Sequence, residues 1–216
     1  MSQIFRRPIC QAYLSVMTAN SGVRPQGYFV AAVTLVIDMQ VDFFAHKRLL
    51  RRRASLVSHT NALVRATRDA GAAIVWIKQE FSPDLSDATL EVRKRKIAVV
   101  IAGTPGASIL PELDMRTTDH GVVKKRYSAF FGTNLDDLLD QLGCTQIIVA
   151  GINTHACVRT TVIDAYQRDY DVILARDCIE SHDKEHDEIT WRYMDGKLGR
   201  GMNNAQIYDL LQASTI

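Results

Sequence analysis

The sequence predicts an α/β protein of three layers (α/β/α), with helices on both faces of a parallel sheet of about six strands. Two observations carry this prediction. Short apolar runs rich in β-branched residues alternate with longer amphipathic segments along the chain. Several of these runs lack a polar face, as strands buried inside a parallel sheet require. Doubly wound, Rossmann-like sheets of this kind have the strand order 3-2-1-4-5-6.

Six strands and six helices are predicted in alternation. The first helix begins near Leu49, carries an apolar residue every seven positions and ends at Gly71. Thr133, with an acid three residues later, predicts the start of the third helix. The strands are predicted at residues 32–37, 72–77, 121–125, 147–150, 172–175 and 198–202. The helices are predicted at about residues 49–70, 86–96, 133–142, 153–169, 183–194 and 204–213.

The bulk composition is that of an ordinary globular protein and excludes several classes of function. With 47% hydrophobic residues and a net charge of +2, the chain gives no reason to expect a nucleic-acid partner. No apolar run approaches the ~20 residues of a membrane span, so we expect no membrane partner. The four cysteines, Cys10, Cys144, Cys157 and Cys178, are widely spread, which predicts a reducing, cytoplasmic setting.

The first 30 residues are predicted to be a flexible arm before a single domain at residues 31–216. Residues 1–37 contain three arginines and no aspartate or glutamate. An acid-poor, arginine-bearing leader is also typical of a transit peptide, and this alternative stays open.

The residues that follow the strands are the candidates for a functional site, because ligands bind beyond the carboxyl ends of the strands in such folds. Asp38 follows the first strand, Lys124 lies at the end of the third, and Cys157 lies near the start of the helix after the fourth. Each alone has a structural explanation, as a turn-capping carboxylate, a solvated charge or a small buried thiol. Together they supply a proton acceptor, a charge stabiliser and a nucleophile. A helix start lowers the pKa of a thiol, so Cys157 is expected to be reactive.

Three segments resemble the isochorismatase-like family of cysteine hydrolases, and the resemblance extends from about residue 30 to the end. The segments are VIDMQVDF at 36–43, KKRYSAF at 124–130 and GINTHACVRTT at 151–161. The resemblance implies an Asp38–Lys124–Cys157 catalytic triad; Lys124 is the family lysine because it stands four residues before Ser128. It also implies a non-proline cis peptide at Ile152–Asn153, with the N–H groups of Asn153 and Cys157 directed at a developing oxyanion.

The implied activity is hydrolysis of a C–N bond in a small amide, carbamoyl or ureido compound through a cysteine thioester, releasing ammonia or an amine. Three alternatives within the family stay open: a vinyl-ether hydrolase of the isochorismatase type, which Cys157 disfavours, a nicotinamidase, and a non-catalytic binding protein. A nucleotide-binding protein is disfavoured because Asp38-Met39-Gln40 stands where a Gly-rich phosphate loop would follow the first strand.

No cofactor and no metal are predicted. The nicotinamidases of the family hold a metal through an aspartate and histidines after the second strand, and residues 78–84 contain no histidine. The six histidines are scattered along the chain and are expected at the surface or in supporting positions. Gln79 and Asn153 would suit a small polar amide, and the family resemblance implies a homodimer or homotetramer. The candidate pocket residues are Gln40, Phe43, Phe44, Trp76, Gln79, Glu80, Tyr127 and Phe131.

Overall fold

The structure, a computed structural model, describes residues 31–213; the predicted arm at 1–30 lies outside the described residues. Its six-stranded parallel sheet has the order β3-β2-β1-β4-β5-β6, which confirms the predicted fold and strand order. The strands are β1 (Ala32–Ile37), β2 (Ala73–Gln79), β3 (His120–Lys124), β4 (Gln146–Ile152), β5 (Asp171–Glu180) and β6 (Arg200–Met202).

Helices cover both faces of the sheet. The α-helices are α1 (Lys47–Asp69), α2 (Leu90–Arg95), α3 (Leu135–Gln141), α4 (Arg159–Tyr166), α5 (Lys184–Met194) and α6 (Asn204–Ala213). Apolar side chains of α1 and α6 pack on one face of the sheet, and those of α3, α4 and α5 pack on the other. Short 3-10 helices lie at Val41–Ala45 and Pro105–Ala107, and one π-helical turn lies at Thr154–Val158.

The two central strands explain why the sequence predicts a sheet covered on both faces. Every residue of β1 and β4 is buried. Along β1, Val33, Leu35 and Ile37 join the core under α3–α5, whereas Ala32 and Val36 face the α1 side. This alternation with a period of two places apolar groups on both faces, as a central parallel strand requires.

Several predicted elements have different bounds in the structure, and two of these differences have a clear local cause. The second helix starts at Leu90 rather than near residue 86. Upstream, the Asp87 carboxylate accepts hydrogen bonds from the amide and hydroxyl of Ser82 instead of joining the helix. Thr89 then caps the helix by accepting from the Val92 amide at 3.5 Å. The fifth strand continues to Glu180 because its pairing with β4 shifts register between Val149 and Gly151 and then resumes.

Gly151 fixes the close approach of β1 and β4 beside the candidate site. Its φ is +118°, a value that side-chain-bearing residues rarely adopt. A Cβ at this position would lie 2.0 Å from the Ile37 carbonyl oxygen. Only glycine fits there, and the fit brings the chain after β4 next to the chain after β1.

None of the helices among residues 31–213 combines the length and the apolar character needed to cross a membrane.

Candidate active site

Asp38, Lys124 and Cys157 meet at the carboxyl edge of the sheet. Lys124 Nζ lies 2.8 Å from Asp38 Oδ2 and 3.3 Å from Cys157 Sγ. The same ammonium group donates to the Arg126 carbonyl at 3.1 Å. The side chains of Lys124 and Asp38 are 0% and 2% exposed, and Cys157 is 5% exposed. The structure therefore brings the three predicted residues into one buried cluster.

The Lys124 ammonium reaches Asp38 across the end of β2. Strands β1 and β3 flank β2, so their backbones are about 9–10 Å apart. The chain turns sharply at Asp38, where φ is +54° and the amide donates to the Ile77 carbonyl at 2.8 Å. The four-carbon stem of the lysine and the carboxylate of Asp38 together cover the remaining gap.

The charges of the cluster depend on one another. Burial raises the pKa of Asp38, and the attraction of Lys124 opposes that rise. Burial alone would lower the pKa of Lys124, but the neighbouring Asp38 and Cys157 outweigh it and raise that pKa. Lys124 is therefore a permanent cation in the cluster.

The Cys157 thiol is held in its protonated form. Burial raises the pKa of Cys157 and the nearby Asp38 carboxylate raises it further, while Lys124 opposes both. The expectation of a pKa lowered by a helix start is therefore wrong for the resting site: the sulfur is buried, and α4 begins only at Arg159, after the π-helical turn. The thiol keeps its proton beside a carboxylate that can accept it.

The turn after β4 is held from two sides. The Ile152–Asn153 peptide is cis, as the family resemblance implies. The Asn153 carbonyl accepts from the amides of Ala156 at 3.0 Å and Val158 at 3.3 Å, whereas its side chain does not cap the turn. Instead, Asn153 Oδ1 accepts from the His182 amide at 3.0 Å. The loop after β5 thus fixes the orientation of this turn beside Cys157.

A cavity of about 350 Å³ borders Asp38 and Cys157. Three predicted pocket residues, Phe43, Gln79 and Tyr127, line it. Its other lining residues are Asp42, His46, Asn153, His155, Ala156 and His182. The cavity gives a small molecule access to the buried thiol.

Gln40 is a structural cross-link rather than a pocket residue. It is 0% exposed, and its Nε2 donates to the carbonyls of Gln79 at 2.7 Å and Ala107 at 2.8 Å. Its Oε1 accepts from the Gln79 amide at 2.8 Å. The prediction that Gln40 lines the pocket is therefore wrong, because the side chain instead fixes the end of β2.

Four other predicted pocket residues also lie outside the cavity lining. Phe44 and Trp76 are buried in the core on the α1 side, which corrects the prediction for both. Glu80 pairs with Lys78 at 2.6 Å, and Phe131 is 64% exposed on the surface. Aromatic residues at the ends of strands are usually core residues, and their positions in the sequence do not distinguish the two cases.

Four of the six histidines, which come from three separate segments of the chain, form a cluster in the structure. The ring centroids of His46 and His182 are 5.1 Å apart, those of His155 and His182 are 5.0 Å apart, and those of His155 and His186 are 5.7 Å apart. His46 starts α1, His155 follows β4, and the other two follow β5. The predicted fifth strand ends at residue 175, five residues short of its end in the structure. With the correct end at Glu180, His182 follows the strand closely and qualifies as a candidate site residue.

The residues after β2 do not fit the metal site that the nicotinamidases of this fold carry. The segment offers the Lys78–Glu80 ion pair and the amide of Gln79, without histidine. Among the residues that the structure describes, no three histidine, cysteine or acidic side chains are placed to hold a metal ion.

A doubly wound sheet with a buried aspartate–lysine–cysteine cluster at its carboxyl edge defines an α/β protein with a strand-end thiol site. The isochorismatase domain matches residues 32–206, and the chain belongs to the isochorismatase family.

Two relatives and one solved structure illustrate the similarity. A probable inactive nicotinamidase from Arabidopsis thaliana is 36% identical over 143 residues, which are 63% of this chain and 73% of the relative. A ureidoacrylate amidohydrolase from Methylorubrum extorquens (strain AM1) is 28% identical over 170 residues, 68% of each chain. A crystal structure of a cysteine hydrolase from Pseudomonas syringae pv. phaseolicola has a TM-score of 0.79 at 23% identity and covers 89% of this chain and 97% of its own. This last likeness is one of fold.

Proposed function

We propose that the protein is a metal-independent cysteine amidohydrolase that cleaves the C–N bond of a small amide, carbamoyl or ureido compound. One observation carries the proposal: Lys124 Nζ contacts both Asp38 and Cys157 inside a buried cluster that borders a cavity. The amidohydrolase activity named for one relative supports it. The relative named as probably inactive makes a direct assay necessary.

The first half of the reaction forms a thioester. Asp38 accepts the proton of Cys157 as the sulfur attacks the amide carbonyl carbon, and Lys124 stabilises the negative charge of the cluster. The amide groups of Asn153 and Cys157 donate hydrogen bonds to the carbonyl oxygen as it gains negative charge. When the C–N bond breaks, protonated Asp38 gives its proton to the nitrogen, and ammonia or an amine leaves.

The second half restores the enzyme. Asp38 removes a proton from a water molecule, which attacks the thioester carbonyl. The C–S bond then breaks, the acid product leaves, and the sulfur recovers its proton from Asp38. Asp38 therefore accepts one proton and gives one proton in each half of the reaction, and Lys124 stays charged throughout.

The pKa directions suit this exchange of protons. A weakly basic carboxylate such as solvated aspartate cannot easily deprotonate a thiol. Burial raises the pKa of Asp38 and so makes it a stronger base. Lys124 stabilises both anionic states, Asp38 carboxylate and Cys157 thiolate, so that a proton can move between the two groups.

The cavity favours a small polar substrate. Its volume of about 350 Å³ is at the small end of the range for ligand pockets, and Gln79 and Asn153 offer amide groups for hydrogen bonding. A small-molecule amide partner, a homodimer or homotetramer, and a cytoplasmic location all stay predictions.

An assay of ammonia release over a panel of amides tests the proposal. The panel combines carbamoyl and ureido compounds and small carboxylated amides with the aromatic amides nicotinamide and pyrazinamide. We expect turnover of aliphatic, carbamoyl or ureido members, and mass spectrometry of the quenched enzyme should detect an acyl group on Cys157. Turnover of aromatic amides alone would exclude the proposed substrate class.

Cys157→Ala is the decisive variant and Cys178→Ala its control. Cys178 is also a buried thiol, with a pKa raised to about 12 by burial, but it lies outside the cluster. We expect the first change to lower turnover by about 10⁴-fold or more and the second to leave it within about threefold. Ammonia release that survives in Cys157→Ala would overturn the cysteine mechanism, and its absence from the wild-type protein would favour a non-catalytic member.

A further inference from the structure

We propose that His46, His155 and His182 form an anion subsite at the mouth of the cavity. This subsite selects amides that carry a second, negatively charged group such as a carboxylate. The inference rests on the proposed function, because it assigns the substrate class of the same site.

The cavity lining contains no arginine and no lysine among the residues that the structure describes. The buried cation beside the cavity, Lys124, is committed to Asp38 and Cys157. Two carboxylates line the cavity, Asp38 and Asp42, and the second accepts a hydrogen bond from the Val100 amide at 2.7 Å. An anionic group entering here can therefore meet a positive charge or a charge-assisted donor only at the histidines.

Two of the rings are held in a form that leaves an N–H donor free for a ligand. His46 Nδ1 accepts from the Arg48 amide at 3.3 Å, so a neutral His46 ring carries its proton on Nε2. His155 Nδ1 lies 2.6 Å from Ser181 Oγ, which itself accepts from the Asp183 amide. The Ser181 hydroxyl hydrogen is then available to His155 Nδ1, and the proton of a neutral His155 ring also sits on Nε2.

His182 has the opposite arrangement. Its Nδ1 lies 3.0 Å from Asn153 Oδ1, an acceptor that also receives the His182 amide, so Nδ1 must be the donor. The neutral ring therefore has an unprotonated Nε2. Protonation of that nitrogen makes the ring a cation without breaking the bond to Asn153. An anion beside the three rings would thus accept hydrogen bonds from the Nε2–H groups of neutral His46 and His155. It would accept a third, charge-assisted hydrogen bond from protonated His182.

The surroundings of His155 and His182 favour the neutral form of both rings in the empty subsite. Burial, followed by the neighbouring rings, lowers the pKa of His182, and burial also lowers that of His155. Asp183 acts in the opposite direction on both. The surrounding elements also carry the charged groups Asp38, Asp42, Lys124, Asp187 and the ion-paired Arg48, Arg52 and Glu180, and His186 contacts Asp183.

A bound carboxylate changes this balance. It places a negative charge next to the rings, which favours the imidazolium form and raises the histidine pKa values. Binding should therefore take up protons, and affinity should fall as the pH rises through the titration of the rings. A neutral amide of the same shape should bind without either effect.

Calorimetric titration of the Cys157→Ala protein in the presence of EDTA tests the proposal without turnover. The probes are maleamate and succinamate, with their uncharged diamides as matched partners, at pH 6 and pH 8. We expect each carboxylate to bind about tenfold tighter than its diamide at pH 6, with a smaller preference at pH 8. Titrations in two buffers of different ionisation enthalpy should reveal proton uptake for the carboxylates only.

Histidine-to-asparagine variants isolate the ring nitrogen that the subsite uses. An asparagine places a polar atom close to the position of Nδ1 and deletes Nε2, so the contacts to Arg48, Ser181 and Asn153 can persist. We expect His46→Asn, His155→Asn and His182→Asn each to lower the carboxylate preference about fivefold, with diamide affinity unchanged. His59→Asn is the control, because His59 Nδ1 contacts the Asp177 carbonyl and lies outside the cavity lining.

Three outcomes would overturn the subsite: equal affinity for carboxylates and diamides at pH 6, no saturable binding of either carboxylate, or an equal loss in His59→Asn. Ammonia release by the wild-type protein is measured separately. Histidine-dependent carboxylate binding without any turnover would leave the subsite standing and refute the proposed amidohydrolase.

Discussion

The floor and the mouth of the cavity are built by different means. The floor, defined as Asp38, Lys124 and Cys157, is almost fully buried, and its charges are fixed by mutual contact. The mouth, defined as His46, His155 and His182, is partly exposed, and burial lowers the pKa of His155 and His182 from the ordinary 6.5. The scaffold thus holds the charged groups of the floor in fixed contact and leaves the rings of the mouth more open to solvent.

The two regions also depend on different parts of the fold. Each floor residue lies within a few residues of the end of a strand, so the register of β1 to β4 determines its position. The mouth comes from the start of α1, the turn after β4 and the loop after β5. Substitutions in the floor should therefore strongly affect both stability and activity, whereas those in the mouth should affect mainly recognition and change stability only slightly.

Loss of one charge from the floor should have the largest effect. Lys124→Met leaves Asp38 buried without its cation, and we expect a loss of about 3–5 kcal/mol in the free energy of unfolding. Asp38→Asn removes the base, and kcat should fall about 10³-fold or more. Urea denaturation measures the first effect and ammonia release the second.

The double variant Asp38→Asn/Lys124→Met separates stability from activity. Because neither side chain is then charged, most of the lost stability should return while activity stays absent. His46→Asn in the mouth is the comparison, with a change in stability within about 0.5 kcal/mol. A double variant as unstable as Lys124→Met would contradict the view that the two charges stabilise each other.

The next largest effect on stability is expected from a substitution of Gly151, which lies beside the floor. Gly151→Ala places a methyl group 2.0 Å from the Ile37 carbonyl at a φ of +118°, and should cost about 3 kcal/mol or more. Gly121→Ala is the matched control, since no atom lies within 4 Å of its Cβ position. Thermal unfolding of both proteins measures the difference, and equal melting temperatures would show that the two strands can separate at this point.

The sequence predicts the fold and the floor for a common physical reason. Buried parallel strands have distinctive apolar runs, and a doubly wound order brings their carboxyl ends together, so Asp38, Lys124 and Cys157 could be placed near one another without coordinates. Helix ends were less accurate. Local side-chain hydrogen bonds, such as those of Asp87 to Ser82, decide where α2 begins, and the hydrophobic pattern does not contain them.

The mouth could not be predicted because no spacing in the sequence links its residues. His46 and His182 lie on separate elements, and their contact depends on loop conformation. The assignment of Phe44 and Trp76 to the pocket failed similarly, since the direction of a side chain depends on packing against α1. The pKa of Cys157 was missed because burial and the Asp38 charge outweigh the local helix effect.

The rate at which the Cys157 thiol is labelled should separate the electrostatic effect of Asp38 from its role in proton transfer. Asp38 raises the pKa of Cys157, and Lys124 opposes it. Asp38→Asn should therefore lower the thiol pKa and speed iodoacetamide labelling at pH 7 by about tenfold, although the variant is inactive. Mass spectrometry measures the labelling rate of both proteins from pH 6 to 10, with Cys178 as the internal reference. Unchanged or slower labelling of Cys157 would mean that Asp38 does not act on the sulfur.

The smallest effect concerns the mouth and appears as a pH dependence of stability. His155 and His182 have pKa values below the ordinary 6.5 in the folded protein, with burial the main cause. Below about pH 6.5 the unfolded chain therefore binds more protons at these residues than the folded chain does. Their contribution is present above pH 6.5 and is lost as the pH falls through the folded pKa values.

Urea denaturation at pH 7.5 and pH 5 measures this loss in the wild-type protein and in His155→Asn/His182→Asn. The double variant should lose less stability on acidification, because it lacks the two groups that resist protonation. Asp183 stays ionised at both pH values, because its pKa is lowered from the ordinary 3.8, so its titration does not contribute to the difference. Saturating maleate should reduce the loss in the wild-type protein, because a bound anion raises the same pKa values. An equal loss in both proteins would show that the mouth does not titrate in this range, and that its charge is as fixed as that of the floor.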